Sequence, residues 1–210
     1  MSVVVSPGDD PRVAIVAIDR PQRRNACDLA TWQALGDHFA AFAQRDDLRA
    51  LILTGTGGHF CAGNDLRAAA ARAAEPGYAD LHSATVEACF ATLRRVPFPV
   101  VAAIEGACVG GGCGLASLCD FRVAASTARI GIPALAQGNA YPIALLARLV
   151  HLIGAAAARR WLYSAKLHDA HEAERDGFID CVVERDASAA ALDLAKSWLD
   201  TPPLALRAAR

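Results

Sequence analysis

"PVVAAIEGACVGGGCGLASLCDFRVAA", residues 99–125, decides the fold. Its first part, 99–106, is an apolar run too short for a helix and reads as a buried strand. Three consecutive glycines, Gly110 to Gly112, separate it from a stretch over 113–119 that predicts a helix, and "DFRVAA" (120–125) predicts the next strand. A strand that passes through glycines into a helix points bare backbone N–H groups at whatever lies above the turn. The helix N-terminus adds partial positive charge there.

The same device occurs upstream, where "RALILT" (49–54) predicts a buried strand and runs into "GTGGHFCAGNDL" (55–66). Before it, "RVAIVAID" (12–19) lies between Pro11 and Pro21 and reads as a strand. Asp28 then precedes Leu29, Trp32, Leu35, Phe39 and Phe42 at three- and four-residue spacing, an amphipathic helix with an acidic N-cap. Residues 80–95 predict another helix. This alternation implies an α/β fold with largely parallel strands covered on both faces. Beyond about 142 the chain reads as helical, through "PIALLARLVHLIG", "AAAARRWLYSA" and "DAHEAERDG", with a short strand "DCVV" and a last helix over about 186–200. No repeat, long linker or charge block divides it, so 1–141 (the core with the glycine turns) and 142–210 (the helical region) are expected to form one structural unit.

The chain has 210 residues, 54% of them hydrophobic and 20% charged, enough to bury a full core. Its 21 basic and 22 acidic residues give a net charge of −1, which leaves no footprint for nucleic acid or an anionic membrane. Anion recognition must therefore be local. Seven cysteines with no C-x-x-C pair read as reduced, buried thiols of a cytoplasmic protein rather than as disulfides or a zinc site. The start "MSVVVSPGDDPR" lacks the pattern of a secretory signal, and the most apolar stretch, 96–119, is interrupted by Pro97, Pro99 and Glu105, a poor membrane span.

Two glycine turns on neighbouring strands can aim two donors at one oxygen, which is how an oxyanion hole is built. The glycines also suit plain close packing of helix on strand. A phosphate loop fits less well, since G-x-x-x-x-G-K-[ST] is absent and G-x-G-x-x-G is not matched.

The order of motifs adds more. "RPQRRNA" (20–26), "LILTGTGGHFCAGNDL" (51–66), residues 99–133, "HLIGAAAARRWLYSAKLHDAHEAERDGFIDCVV" (151–183) and "PPLALRAAR" (202–210) resemble the crotonase (enoyl-CoA hydratase/isomerase) superfamily nearly end to end. The resemblance implies a ββα spiral with a helical C-terminal region, shorter than usual. It implies an isomerase or lyase of fatty acid metabolism acting on a coenzyme A thioester. No cofactor is expected beyond the coenzyme A carried by the substrate, no metal and no nucleic-acid or membrane partner, and a homo-oligomer, trimer or hexamer, is implied. By position in the motifs, the backbone N–H groups of Asn64 and Gly111 hold the thioester oxygen. Ala62, Gly63, Asp65 and Leu66 line the adenine and pantetheine path with Ala26 nearby, and Gly110, Pro133 and Ala134 border the substrate. Arg23 and Arg24 suit the coenzyme A phosphates by charge, and equally a solvated basic face.

The pattern also breaks. Hydratases of this superfamily carry two water-activating glutamates where this chain has Gly114 and Ala134. Positioned acid–base groups are worth roughly 10² to 10⁴ in rate, so ordinary hydration is expected to be severely impaired, and reactions that need chiefly enolate stabilisation fit better. Tyr141 falls where decarboxylating relatives of methylmalonyl-CoA type place a tyrosine, although those keep a glutamate at the position of Gly114. The alternatives are therefore an acyl-CoA decarboxylase-like enzyme using Tyr141 and a non-catalytic acyl-CoA binder. Asn64 stands where alanine is common, which brings its side chain into question as a pocket group, and Gln137 and Asn139 are weaker candidates. Cys113 is expected to be buried and structural, Asp120 to anchor the strand it opens, and His168 and His171 to lie on the surface. Relatives continue past the 202–210 motif with helices that close the site, so an open pocket or a lid from a neighbouring subunit is expected.

Overall fold

The computed structural model describes residues 2–210. In chain order the strands are β1 (Val3–Pro7), β2 (Val13–Ile18), β3 (Ala50–Gly55), β4 (Val100–Ile104), β5 (Ala107–Val109), β6 (Phe121–Ala125), β7 (Arg129–Gly131), β8 (His168–Asp169) and β9 (Cys181–Val183). The α-helices are α1 (Leu29–Phe42), α2 (Leu66–Ala71), α3 (Tyr78–Leu93), α4 (Gly111–Leu118), α5 (Ile143–Ser164), α6 (Ala170–Arg175), α7 (Ala187–Lys196) and α8 (Pro203–Ala209).

Six strands form one sheet in the order β1-β2-β3-β4-β6-β9, parallel from β2 onward, with β1 antiparallel at its edge. A second sheet, β5-β7-β8, holds the short strands. Successive turns of the chain thus place a longer strand in the large sheet and a shorter one in the small sheet, β4 then β5, β6 then β7. This is the spiral the motifs imply.

The unbroken apolar runs of the central strands follow from cover on both faces. Alternate side chains enter alternate layers. Leu51, Leu53, Ala102 and Ile104 pack with Trp32, Leu35 and Phe39 of α1, whereas Ala50, Ile52, Val101 and Ala103 pack under Ala187, Ala191 and Ala195 of α7. The first of these layers reaches from Val3 to Ile179, so both the 1–141 and 142–210 segments contribute to it.

Helix α1 begins where the sequence places it. Asp28 Oδ1 accepts from the Thr31 N–H at 2.9 Å and from its hydroxyl at 2.7 Å. Partial burial pushes the Asp28 carboxyl up, but these hydrogen bonds and the charge of Arg20 outweigh it, and the pKa falls below 3.8. A depressed carboxylate contributes stability that is present above its unfolded pKa and lost as pH falls through the folded one. Acid titration from pH 5 to pH 2 is therefore expected to lower the urea midpoint less steeply in Asp28→Ala than in the wild type, with about 1 kcal/mol already lost at pH 7. Parallel titration curves would remove this role.

Two features, β1 and His168, depart from the sequence expectation, and the break in α5 agrees with it. Strand β1 has a single buried residue of five, too weak a pattern to register as a strand. Helix α5 breaks at Gly154, φ 75° and ψ 161°, at the junction of its two apolar segments. His168 is not a surface residue, since β8 pairs with β7 and draws its imidazole onto Trp161 at a centroid distance of 4.4 Å, whereas His171 is exposed. No helix among the described residues is long and apolar enough to cross a membrane.

Candidate active site

The turn after β3 is clamped on two sides. On one, Cys27 N donates to Gly63 O at 2.7 Å, Asp65 N to Cys27 O at 2.9 Å, and Ala62 N to Arg24 O at 3.0 Å. On the other, Cys61 N donates to Ala107 O at 2.8 Å and Val109 N to Cys61 O at 2.9 Å, which binds the turn to β5.

Contact this close requires glycine. Gly63 has φ +89°, and a Cβ there would lie 2.7 Å from Val109 O and 2.9 Å from Gly111 N. A Cβ on Gly112 would lie 2.1 Å from Cys61 O. The glycines between the apolar runs thus let two backbones nest, and the nesting brings the Asn64 and Gly111 peptides together. Neither of these N–H groups finds an acceptor among the described residues. Gly111 also opens α4, so its N–H belongs to the unfilled first turn of a helix.

Residues 9–210 match the model of the enoyl-CoA hydratase/isomerase family. The chain belongs to that family. It is 34% identical to a probable enoyl-CoA hydratase of Mycobacterium tuberculosis, over 84% of this chain and 67% of that one. It is 30% identical to the mitochondrial Delta(3,5)-Delta(2,4)-dienoyl-CoA isomerase of Mus musculus, over 93% of this chain and 63% of that one. The chain thus spans about two thirds of the length of these curated relatives. Among solved structures, an enoyl-CoA hydratase from Bacillus anthracis superposes with a TM-score of 0.93 at 28% identity, covering 100% of this chain and 81% of that chain. An enoyl-CoA hydratase/carnithine racemase from Magnetospirillum magneticum does so with 0.91 at 31% identity, covering 99% and 78%.

Around the paired turns of this enoyl-CoA hydratase/isomerase family member, the structure gathers most of the residues singled out in the sequence. Arg24, Ala26, Ala62, Gly63 and Asn64 are neighbours through the hydrogen bonds above, and Arg23 and Arg24 are exposed. Gly110 N donates to Gly131 O at 2.9 Å, which sets the end of β7, and with it Pro133 and Ala134, beside the second turn. Leu66 is 55% exposed. Asp65 is held on both sides. Its backbone belongs to the turn, and its carboxylate caps α2 at Ala68 N and pairs with Arg20 Nη2 at 3.1 Å. Gln137 and Asn139 are exposed. Cys113 is buried and donates its thiol to Cys108 O at 2.9 Å, and Asp120 accepts from Val100 N at 2.7 Å, a fixed thiol and a strand anchor respectively.

The two positions of the hydratase glutamates differ in their surroundings. Gly114 is buried, and a Cβ on it would already lie 3.0 Å from Leu145 Cδ1 and from Phe90 Cζ. Ala134 is half-buried against the core, as is Tyr141. Burial, aided by the nearby thiols of Cys113 and Cys108, pushes the Tyr141 phenol well above 10, so it stays protonated at neutral pH.

Sequence reasoning missed three organising residues. Asn25 is fully buried at φ 57°, accepts from Arg20 N at 2.8 Å, and donates to Thr56 O at 2.9 Å and His59 O at 2.6 Å. Its signal was an asparagine in a turn, the residue best suited after glycine to a left-handed backbone. Asn25→Ala leaves three polar backbone groups unpaired and is expected to cost about 2–4 kcal/mol in urea unfolding; a loss under ~0.5 kcal/mol would deny it this role. Arg20 joins the capping carboxylates of α1 and α2, Asp28 at 3.0 Å and Asp65 at 3.1 Å. Trp32, read from spacing as a core residue, donates its indole N–H to Asn64 Oδ1 at 2.9 Å. That contact joins residues 32 apart and leaves no periodic trace in the sequence.

Proposed function

We propose that the chain binds a coenzyme A thioester across the 55–66 and 106–115 turns and stabilises an enolate at the main-chain amides of Asn64 and Gly111. One observation carries this: two N–H groups without acceptors, on turns that only glycine lets approach each other. Each such donor is worth about 2.7–4 kcal/mol when aimed at developing negative charge. Family membership supports the thioester as the substrate class.

Hydration fits poorly, because Gly114 is enclosed by Leu145 and Phe90 and neither it nor Ala134 supplies a carboxylate. Decarboxylation of a malonyl-type acyl-CoA asks less of the side chains. The bond between the α-carbon and the carboxylate breaks, its electron pair enters the enolate whose oxygen the two amides hold, and CO₂ leaves. A proton from the Tyr141 hydroxyl then goes to the α-carbon, and water returns one to the phenolate.

Malonyl- and methylmalonyl-CoA decarboxylation assayed beside crotonyl-CoA hydration tests this reading. Decarboxylation is expected to exceed hydration by at least about 10². Tyr141→Phe is expected to slow it by ~10² or more while leaving the unfolding midpoint in place. Equal activity in that variant would remove the phenol from the reaction. A second reading, an acyl-CoA binder without turnover, rests on the apolar enclosure of Gly114; tight binding in calorimetry with no product from any thioester would favour it.

A further inference from the structure

Trp32 touches both halves of the candidate oxyanion site with one edge of its indole. Nε1 bonds Asn64 Oδ1 at 2.9 Å, and Cζ2, two bonds away along the same edge, lies 3.0 Å from where a Gly111 Cβ would stand. The ring is fully buried and is held from its side by Phe90, edge to face at 5.6 Å and 79°. It cannot readily turn.

Asn64 itself is exposed, and its side chain is nonetheless fixed. An indole N–H is a donor only, so it must face the amide oxygen rather than the NH₂ group. That settles which way the planar amide lies. Nδ2 then points away from Trp32, and it has no acceptor among the described residues. An exposed asparagine normally samples several rotamers. Here one arm is anchored to a buried ring and the other is left as a two-proton donor, on the same residue whose main-chain N–H is unfilled.

We propose that the Asn64 side-chain amide is a specificity-determining group, held by Trp32 as a positioning residue, that donates to an oxygen acceptor on the β-carbon region of the acyl group: a β-carboxylate, β-oxo or β-hydroxy oxygen. This rests on the thioester reading above, since the main-chain amide of the same residue fixes where the thioester oxygen lies. A short amide side chain reaches only groups near the thioester, which limits the acceptor to the first carbons of the acyl chain. A plain alkyl group there leaves Nδ2 to water.

The test compares acetoacetyl-CoA with butyryl-CoA, two four-carbon thioesters that differ by the β-oxo oxygen. Calorimetric affinities of each are measured for the wild type, Asn64→Ala and Trp32→Phe. Asn64→Ala keeps the main-chain N–H, and Trp32→Phe keeps a ring but loses the donor. One hydrogen bond to a neutral acceptor corresponds to roughly three- to tenfold in affinity. The ratio of the two affinities is expected to fall by about that factor in Asn64→Ala and part-way in Trp32→Phe, acetoacetyl-CoA losing more than butyryl-CoA in each. General damage to the fold would weaken both ligands together and leave the ratio unmoved.

An unchanged ratio in Asn64→Ala overturns the proposal while leaving the thioester reading intact. A ratio that falls in Asn64→Ala but not in Trp32→Phe overturns the positioning role of Trp32. Failure of the wild type to bind either thioester overturns the thioester reading, and the proposal with it.

Discussion

Gly63→Ala is expected to destabilise the protein by about 3–5 kcal/mol and to abolish acyl-CoA binding in whatever fraction remains folded. Two costs combine at this position. The backbone sits at φ +89°, where an L side chain is strained, and the new methyl would meet Val109 O at 2.7 Å and Gly111 N at 2.9 Å. Both are backbone atoms, one in β5 and one opening α4, and neither can swing aside as a side-chain terminus would. Relief comes only by parting the two turns, which separates the Asn64 and Gly111 amides. Urea unfolding reads the first effect and calorimetry with an acyl-CoA reads the second. A variant with the wild-type midpoint and affinity would show that the turns do not nest as described. Gly58 is the natural control for stability, since it also has positive φ (+76°) but a Cβ there meets nothing within 4 Å; Gly58→Ala is expected to cost only about 1–2 kcal/mol.

Gly114→Glu, alone or with Ala134→Glu, is expected not to restore a hydratase but to unfold the core by roughly 3–5 kcal/mol. Position 114 faces Leu145 Cδ1 and Phe90 Cζ with a Cβ gap of 3.0 Å, so the first carbon of the new side chain is already tight. The carboxyl beyond it would enter an apolar layer, which raises its pKa and favours the neutral acid. A protonated, packed glutamic acid orients no water as a base. Gly114→Ala separates the two effects: helix propensity favours it by about 1 kcal/mol, the give of Leu145 opposes it, and a net change within ~1 kcal/mol is expected. Hydration of crotonyl-CoA by the doubly substituted protein at the wild-type midpoint would mean that Phe90 and Leu145 yield freely, and would return hydration to first place among the reactions.

The sequence by itself determined the parallel α/β order, because strands buried on both faces must be unbroken apolar runs and helices with one buried face must show three- and four-residue spacing. It located both glycine turns and named Asn64, Gly111 and the two missing glutamates, since these depend on local backbone freedom or on motif order. It did not show what holds the Asp65 carboxylate, because nothing local reveals that Arg20 and Ala68 N occupy it. It placed His168 on the surface, because β8 is two residues long and its burial comes from pairing with β7. Only the tertiary structure decided that Gly114 is enclosed, that Asn25 braces the first turn, and that Trp32 grips Asn64. Each of these is a contact between segments distant along the chain, and periodicity within one segment records that a face is buried without recording what lies against it.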